Sequence, residues 1–135
     1  MGSILYLSQT YWKFRHLPNI VFLHYRDLSE NLDGEMRRLS RALDIAVDET
    51  KWPALVEAAG FNAMKEHADE AAPAAHLGEW ANNRDFFRKA RRGEWREVLS
   101  AESKALYEKI ATERLEPKLK SWLEGGRAAV DPKAV

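Results

Sequence analysis

The run Ile20-Val21-Phe22-Leu23 stands between Pro18-Asn19 on one side and Arg26-Asp27 on the other. An unbroken apolar run of strand length, closed by turn-forming and charged residues, is the pattern of a β-strand buried on both faces. No second run reads as a strand, since Ile4-Leu5-Tyr6-Leu7 belongs to the helical pattern of residues 4–14. A lone buried strand leaves a row of N–H and C=O groups unpaired, and each is costly to take out of water without a partner. Either the strand pairs with a second copy or another polypeptide, or the run is not a strand.

The rest of the chain carries helical signals. Leu5, Tyr11 and Trp12 mark a short amphipathic helix within 4–14 that ends near His16, before Pro18. After the apolar run, Ser29 or Asn31 can cap a helix whose stripe is Leu32, Met36, Leu39 and Leu43, with Glu30, Asp33 and Glu35 at its positive end. A second helix opens after Asp48 with Trp52, Leu55 and Val56 on one side, Pro53 in its first turn and Gly60 as a left-handed stop. Phe61 and Met64 predict one further turn. Residues 68–83, rich in alanine and broken by Pro73 and Gly78, read as a long surface loop. Ser100 caps a helix with Leu106, Tyr107, Ile110 and Ala111 on its stripe, and Pro117 starts a last helix through Leu119, Trp122 and Leu123 that Gly125-Gly126 stops. The expected fold is thus mostly α-helical with a single buried strand near 19–24. Residues 125–135 read as a polar tail that frays.

Composition removes several classes of function. Lysine plus arginine equals aspartate plus glutamate at 21 each, so no global charge draws the chain to nucleic acid or to an anionic membrane. There is no cysteine, which excludes a disulfide framework, a thiolate metal site and a cysteine nucleophile. Ser8, Gln9 and Lys13 interrupt the apolar N-terminus too soon for a signal-peptide core or a membrane span. The chain therefore reads as soluble and cytoplasmic. His67, Asp69 and Glu70 have no ligand spacing that defines a metal geometry, so no metal is expected.

The segment Asp85-Phe86-Phe87-Arg88-Lys89-Ala90-Arg91-Arg92-Gly93-Glu94-Trp95-Arg96 has the richest chemistry. Its aromatics offer ring faces to a flat base, Arg88 a fork for phosphate, Lys89 a mobile charge and Gly93 a backbone able to turn its N–H groups inward. On composition alone the weightier reading is a solvated basic loop whose aromatics dock on the core. Nucleic-acid binding through residues 84–96 is disfavoured by the neutral overall charge and the lack of a recognised binding motif.

Several pieces of the sequence resemble the PAPS-dependent cytosolic-type sulfotransferases, PAPS being 3′-phosphoadenosine 5′-phosphosulfate. Arg88-Lys89-Ala90-x-x-Gly93-Glu94-Trp95-Arg96 is similar to the family's Arg-Lys-Gly-x-x-Gly-Asp-Trp-Lys motif. Pro18 to Leu28 resembles the Pro-Asn-hydrophobic strand that ends in Tyr-Glu-Asp, here Tyr25-Arg26-Asp27. Gly60-Phe61-Asn62-Ala63-Met64-Lys65 resembles its Ser-Phe-x-x-Met-Lys turn. These pieces fall in the family's order from about Gly2 to about Leu123, and the ordered set is more specific than any one of them.

The resemblance implies an α/β, P-loop-like fold of which residues 1–124 are the C-terminal part. It further implies that Arg88, Lys89 and the Ala90 backbone hold the 3′-phosphate and that Phe61, Phe86 and Tyr25 lie at the adenine. Two positions depart from the pattern: Ala90 replaces a glycine, which weakens a tight phosphate cradle, and Arg26 replaces a glutamate. The family's Pro-Lys-Ser-Gly-Thr-Thr-Trp loop for the 5′-phosphosulfate has no counterpart here, and His16, His24, His67 and His76 match no catalytic position. The resemblance therefore implies sulfuryl transfer from PAPS to a hydroxyl or amine, with this chain inactive unless the missing half is supplied in trans. The alternative is a non-catalytic helical interaction module that self-associates through its orphan strand.

Overall fold

A computed structural model of the chain describes residues 2–87 and 93–135. Nine α-helices appear among them: α1 Gly2–Lys13, α2 Tyr25–Glu30, α3 Leu32–Ala42, α4 Trp52–Ala58, α5 Phe61–Glu66, α6 Ala68–Ala71, α7 Trp95–Val98, α8 Ala101–Arg114 and α9 Pro117–Gly125. Short 3-10 turns occupy Glu49–Lys51, Ala75–Leu77, Asn83–Phe86 and Gly126–Ala128. The chain divides into two compact units, one made of Met1–Asn31 with Gly93–Val135 and the other of Leu32–Arg92.

The buried strand expected near 19–24 does not form, and no strand occurs among the described residues. Residues 20–24 run as irregular backbone into α2, with the Ile20 N–H donating back to the Leu17 carbonyl at 3.1 Å. The apolar run serves as a side-chain anchor instead. Phe22 sets its ring edge-to-face against Trp12 at 5.8 Å and against Trp122 at 5.2 Å, while Leu23 is 37% exposed. Apolar content alone does not distinguish such an anchor from a ladder strand, because both bury side chains.

The first unit is built around Trp12, Ala111, Leu115, Leu119 and Trp122, with Leu5, Phe22, Leu123 and Val130 packed against them. The Trp12 and Trp122 rings lie 5.9 Å apart, tilted by 37°. Both indole N–H groups lack an acceptor among the described residues. Each such donor costs about 1–3 kcal/mol, whereas burying an indole of roughly 200 Å² at about 25 cal/mol per Å² contributes about 5 kcal/mol. Ring burial wins, so the pair is stabilising despite its orphan donors.

Local signals account for the helices of this unit. Ser100 Oγ accepts from the Ser103 N–H at 3.1 Å and starts α8, and Pro117 sits in the first turn of α9. Lys120 joins α9 to α8 by reaching Glu108 at 3.0 Å and Glu124 at 3.0 Å, and the Tyr107 hydroxyl donates to Glu124 at 3.1 Å. Partial burial and the Glu124 carboxylate raise the Tyr107 phenol above its ordinary value of 10.0, and the carboxylates raise Lys120 above 10.5.

The segment past Gly125 does not fray. Asp27, buried in the first turn of α2, accepts the Arg127 N–H at 2.9 and 3.2 Å, and Arg15 Nε donates to the Val135 carbonyl at 3.0 Å. Gly126 stands at φ +66, and a Cβ placed there would fall 2.4 Å from Asp27 Oδ1. A positive φ and a carboxylate in van der Waals contact together require glycine at this position.

In the second unit α3 and α4 meet through Trp52, whose buried ring lies 4.5 Å beneath the Arg37 guanidinium. Arg37 is held over it by Asp33 at 3.0 Å and Glu49 at 2.7 Å. Gly60 has φ −69 and precedes α5, so it is an N-cap and not the left-handed stop expected of it. The expected loop over 68–83 holds α6 and the 3-10 turn Ala75–Leu77, and a further 3-10 turn starts at its end, at Asn83. Ala68 and Ala72 are buried there against Phe87, because a methyl side chain lets backbone approach an aromatic ring closely.

Two measurements follow. Gly126→Ala should destabilise the chain by about 2–4 kcal/mol, read as a lower urea midpoint, because it strains the left-handed backbone and breaks the Asp27 bond. The raised Tyr107 and Lys120 groups make a contribution that is complete below pH 10 and lost as pH rises through their folded values. Urea midpoints should therefore fall above pH 10, and Tyr107→Phe should flatten part of that fall.

Candidate functional site

Six residues were expected at the nucleotide. Arg88, Lys89 and Ala90 lie outside the described residues. The other three fall in different units: Tyr25 in the first, Phe61 and Phe86 in the second.

Tyr25 opens α2 directly after its cap, His24. The Arg26 N–H donates to His24 Nδ1 at 3.1 Å, so Nε2 carries the ring proton and donates to the Leu123 carbonyl at 3.0 Å. The imidazole also lies edge-on to Trp122 at 5.4 Å. Both ring nitrogens and the contact with Trp122 thus hold the start of α2 on α9. Tyr25 itself is 59% exposed. The backbone beneath it is fixed while its ring meets solvent.

Phe61 and Phe86 belong to one chain of aromatic contacts. Trp80 meets Phe86 at 5.5 Å, Phe86 meets Phe87 at 5.0 Å with rings at 89°, and Phe87 meets Phe61 at 6.1 Å. Trp80 is oriented by its indole N–H, which donates to the Pro73 carbonyl at 2.9 Å, and Asn83 ties the turn before Phe86 to Asp69 at 2.9 Å. Edge-to-face contacts are a favoured aromatic geometry and fix ring planes as well as positions. Within the group Phe87 is buried at 6% exposure and Phe86 presents 43% of its surface. Phe61 is half-buried, with the Lys65 ammonium 6.0 Å over its ring. Phe87 is therefore the packing residue and Phe86 the presented ring.

Neither Trp80 nor Phe87 is among the six residues expected at the nucleotide. Nothing local marks Trp80, since its partner is six residues away across an irregular segment. Phe87 stands beside Phe86 and only burial separates their roles.

Beyond the described gap, Gly93 has φ +81 and a Cβ there would meet the Arg96 guanidinium at 2.5 Å. Arg96 folds over the Trp95 ring at 4.7 Å. Glycine, tryptophan and arginine at these spacings are coupled by geometry as well as by sequence motif. Among the described residues no group of three or more His, Cys, Asp or Glu is placed to hold a metal ion, and no helix is long and apolar enough to cross a membrane.

The model of the sulfotransferase domain family matches residues 1–120. The chain belongs to the sulfotransferase family. This sulfotransferase chain is 33% identical over 132 residues to the glycolipid sulfotransferases of Mycobacterium bovis and Mycobacterium tuberculosis, covering 98% of its own length. It spans 40% of the length of those curated relatives. It is also 32% identical over 57 residues to the luciferin sulfotransferase of Photinus pyralis, a match covering 42% of this chain and 15% of that enzyme. No solved structure matches it at the same level of significance.

The two neighbouring phenylalanines should separate on substitution. Phe87→Ala should cost about 3–5 kcal/mol of stability, while Phe86→Ala, half in water already, should cost about 1 kcal/mol. Urea titration followed by near-ultraviolet circular dichroism measures both.

Proposed function

We propose that this chain is the C-terminal part of a PAPS-dependent sulfotransferase that moves a sulfuryl group to an acceptor hydroxyl or amine. The observation that carries the reading is the family match over residues 1–120 together with the ordered motifs inside it. In this proposal Arg88, Lys89 and the Ala90 backbone take the 3′-phosphate of the nucleotide. Phe86, Phe61 and Tyr25 serve the adenine. The aromatic group fits a flat base: Phe86 offers a ring already fixed on two sides by Trp80 and Phe87, so little rotamer freedom is lost on stacking.

In-line sulfuryl transfer needs a base on the acceptor and fixed positive charge or N–H donors at the phosphosulfate. His24 is committed to its cap and to Leu123, and His16, His67 and His76 are exposed. The base and the phosphosulfate loop are therefore assigned to the part of the family domain that these residues do not span, and these residues by themselves to a state without turnover. The mycobacterial relatives are named for glycolipid sulfation, which makes a glycolipid hydroxyl the first acceptor class to assay. The proposed setting is the cytoplasm, with neither nucleic acid nor membrane as partner.

A second reading is a non-catalytic interaction module derived from the same fold, and the exposed apolar residues of α1 favour it. Titration calorimetry with adenosine 3′,5′-bisphosphate distinguishes the two. Binding that Arg88→Ala abolishes and Phe86→Ala weakens about 3- to 10-fold supports the sulfotransferase remnant. Absence of binding at millimolar nucleotide supports the module. Sulfuryl transfer by the chain alone would overturn its assignment as inactive.

A further inference from the structure

Between Pro73 and Trp80 the chain doubles back through two left-handed residues, Ala74 at φ +57 and Gly78 at φ +66, with the 3-10 turn Ala75–Leu77 between them. Glycine takes that conformation freely, whereas a Cβ makes it costly, so alanine holds it only where surrounding contacts compensate. Trp80 supplies the closing contact. Its indole N–H donates to the Pro73 carbonyl at 2.9 Å, one residue from the strained Ala74. Trp80 itself leaves 39% of its surface in water and lies outside the buried cluster of Ala68, Ala72 and Phe87. Packing of that cluster therefore does not explain why the loop is folded to hold it.

Its ring partner does. Trp80 is set against Phe86 at 5.5 Å and 62°, and Phe86 stands on the buried Phe87 at 5.0 Å and 89°. Neighbours at these angles restrict both side-chain torsions of Phe86. The backbone before it is held separately: Asn83 donates to Asp69 at 2.9 Å, and Asn82 Oδ1 accepts the Arg84 N–H at 2.9 Å to start the turn that ends at Phe86. One device thus places the Phe86 backbone and another sets its ring.

From this geometry we infer that Trp80 is a positioning residue for the nucleotide base, fixing the plane of Phe86, and that the left-handed turn at Ala74 is what places Trp80 there. The inference rests on the reading of Phe86 as an adenine contact. Phe86 exposes 43% of its surface, and without Trp80 it would have one ring neighbour and free torsions that stacking must arrest at an entropic cost. With Trp80 in place the plane is set before the nucleotide arrives. Stacking on a base depends on that plane, whereas pairing of a phosphate with long cationic side chains does not.

A double-substitution cycle in the full chain, read by titration calorimetry with adenosine 3′,5′-bisphosphate, tests the role. Trp80→Ala should weaken binding about 3- to 10-fold, as Phe86→Ala does, and the two together should weaken it no more than Phe86→Ala alone. That non-additivity separates positioning from a contribution to stability, which would cost affinity in either background. Should Trp80→Ala lose its helical circular dichroism, Trp80→Phe decides instead. It keeps a ring against Phe86 but removes the indole donor, so affinity should fall about 2- to 5-fold with Phe86 present and not at all in the Phe86→Ala background. Equal losses in both backgrounds, or none in either, would overturn the inference while leaving the nucleotide reading intact, provided Arg88→Ala still abolishes binding. No binding by the unsubstituted chain at millimolar nucleotide would overturn both.

Discussion

The junction of Trp12, Phe22 and Trp122 holds the first unit together. These rings belong to α1, to the irregular segment before α2 and to α9, and their mutual contacts of 5.2–5.9 Å bring residues about a hundred positions apart into one core. Closing so long a loop carries a large entropic cost, and three aromatic side chains are among the few groups that bury enough area to offset it. The junction also explains how residues 20–24 can run without a ladder. An extended segment fixed by its side chains leaves its backbone half in water, where N–H and C=O groups are satisfied without a neighbouring strand.

Around this junction the second layer of contacts is polar and directional. His24 binds the Leu123 carbonyl while capping α2, and Asp27 binds the backbone at Arg127. Ring contacts determine which elements meet, and these bonds determine in what register. Gly126 belongs to the same device, since its positive φ turns the chain beneath the Asp27 carboxylate. A frayed tail is the natural reading of a sequence ending in a glycine pair, because the partner that orders it lies a hundred residues upstream.

Legibility followed the range of each interaction. Ser100, Asp48 and Pro117 act within one turn, and each opens its element where the sequence places it. α2 escaped notice because its cap is a histidine, outside the usual Ser, Thr, Asp and Asn set, and the helix is one and a half turns long. Gly60 reads in sequence as a stop and serves as an N-cap, because glycine suits either end of a helix and only φ distinguishes them. Ala68 and Ala72 read as loop because alanine carries little hydrophobic signal, although it buries fully wherever an aromatic side chain such as Phe87 covers it. The candidate site shows the same division. The motif spacing singles out Phe86 and Phe61, but the contacts that tell a presented ring from a packing ring come from Trp80 and Phe87, whose partners are distant or adjacent without being distinguishable in sequence.

Helix α1 brings the two scales together. A helix apolar around most of its circumference is ordinarily buried on more than one side, and here only the Leu5 and Trp12 side is covered. The stripe of Ile4, Leu7, Tyr11 and Phe14 lies outside the core cluster, and the aromatic junction fixes α1 in place from the other side. Two of the stripe's four side chains are aromatic and have few rotatable bonds. The surface is thus small and built of side chains with few rotatable bonds.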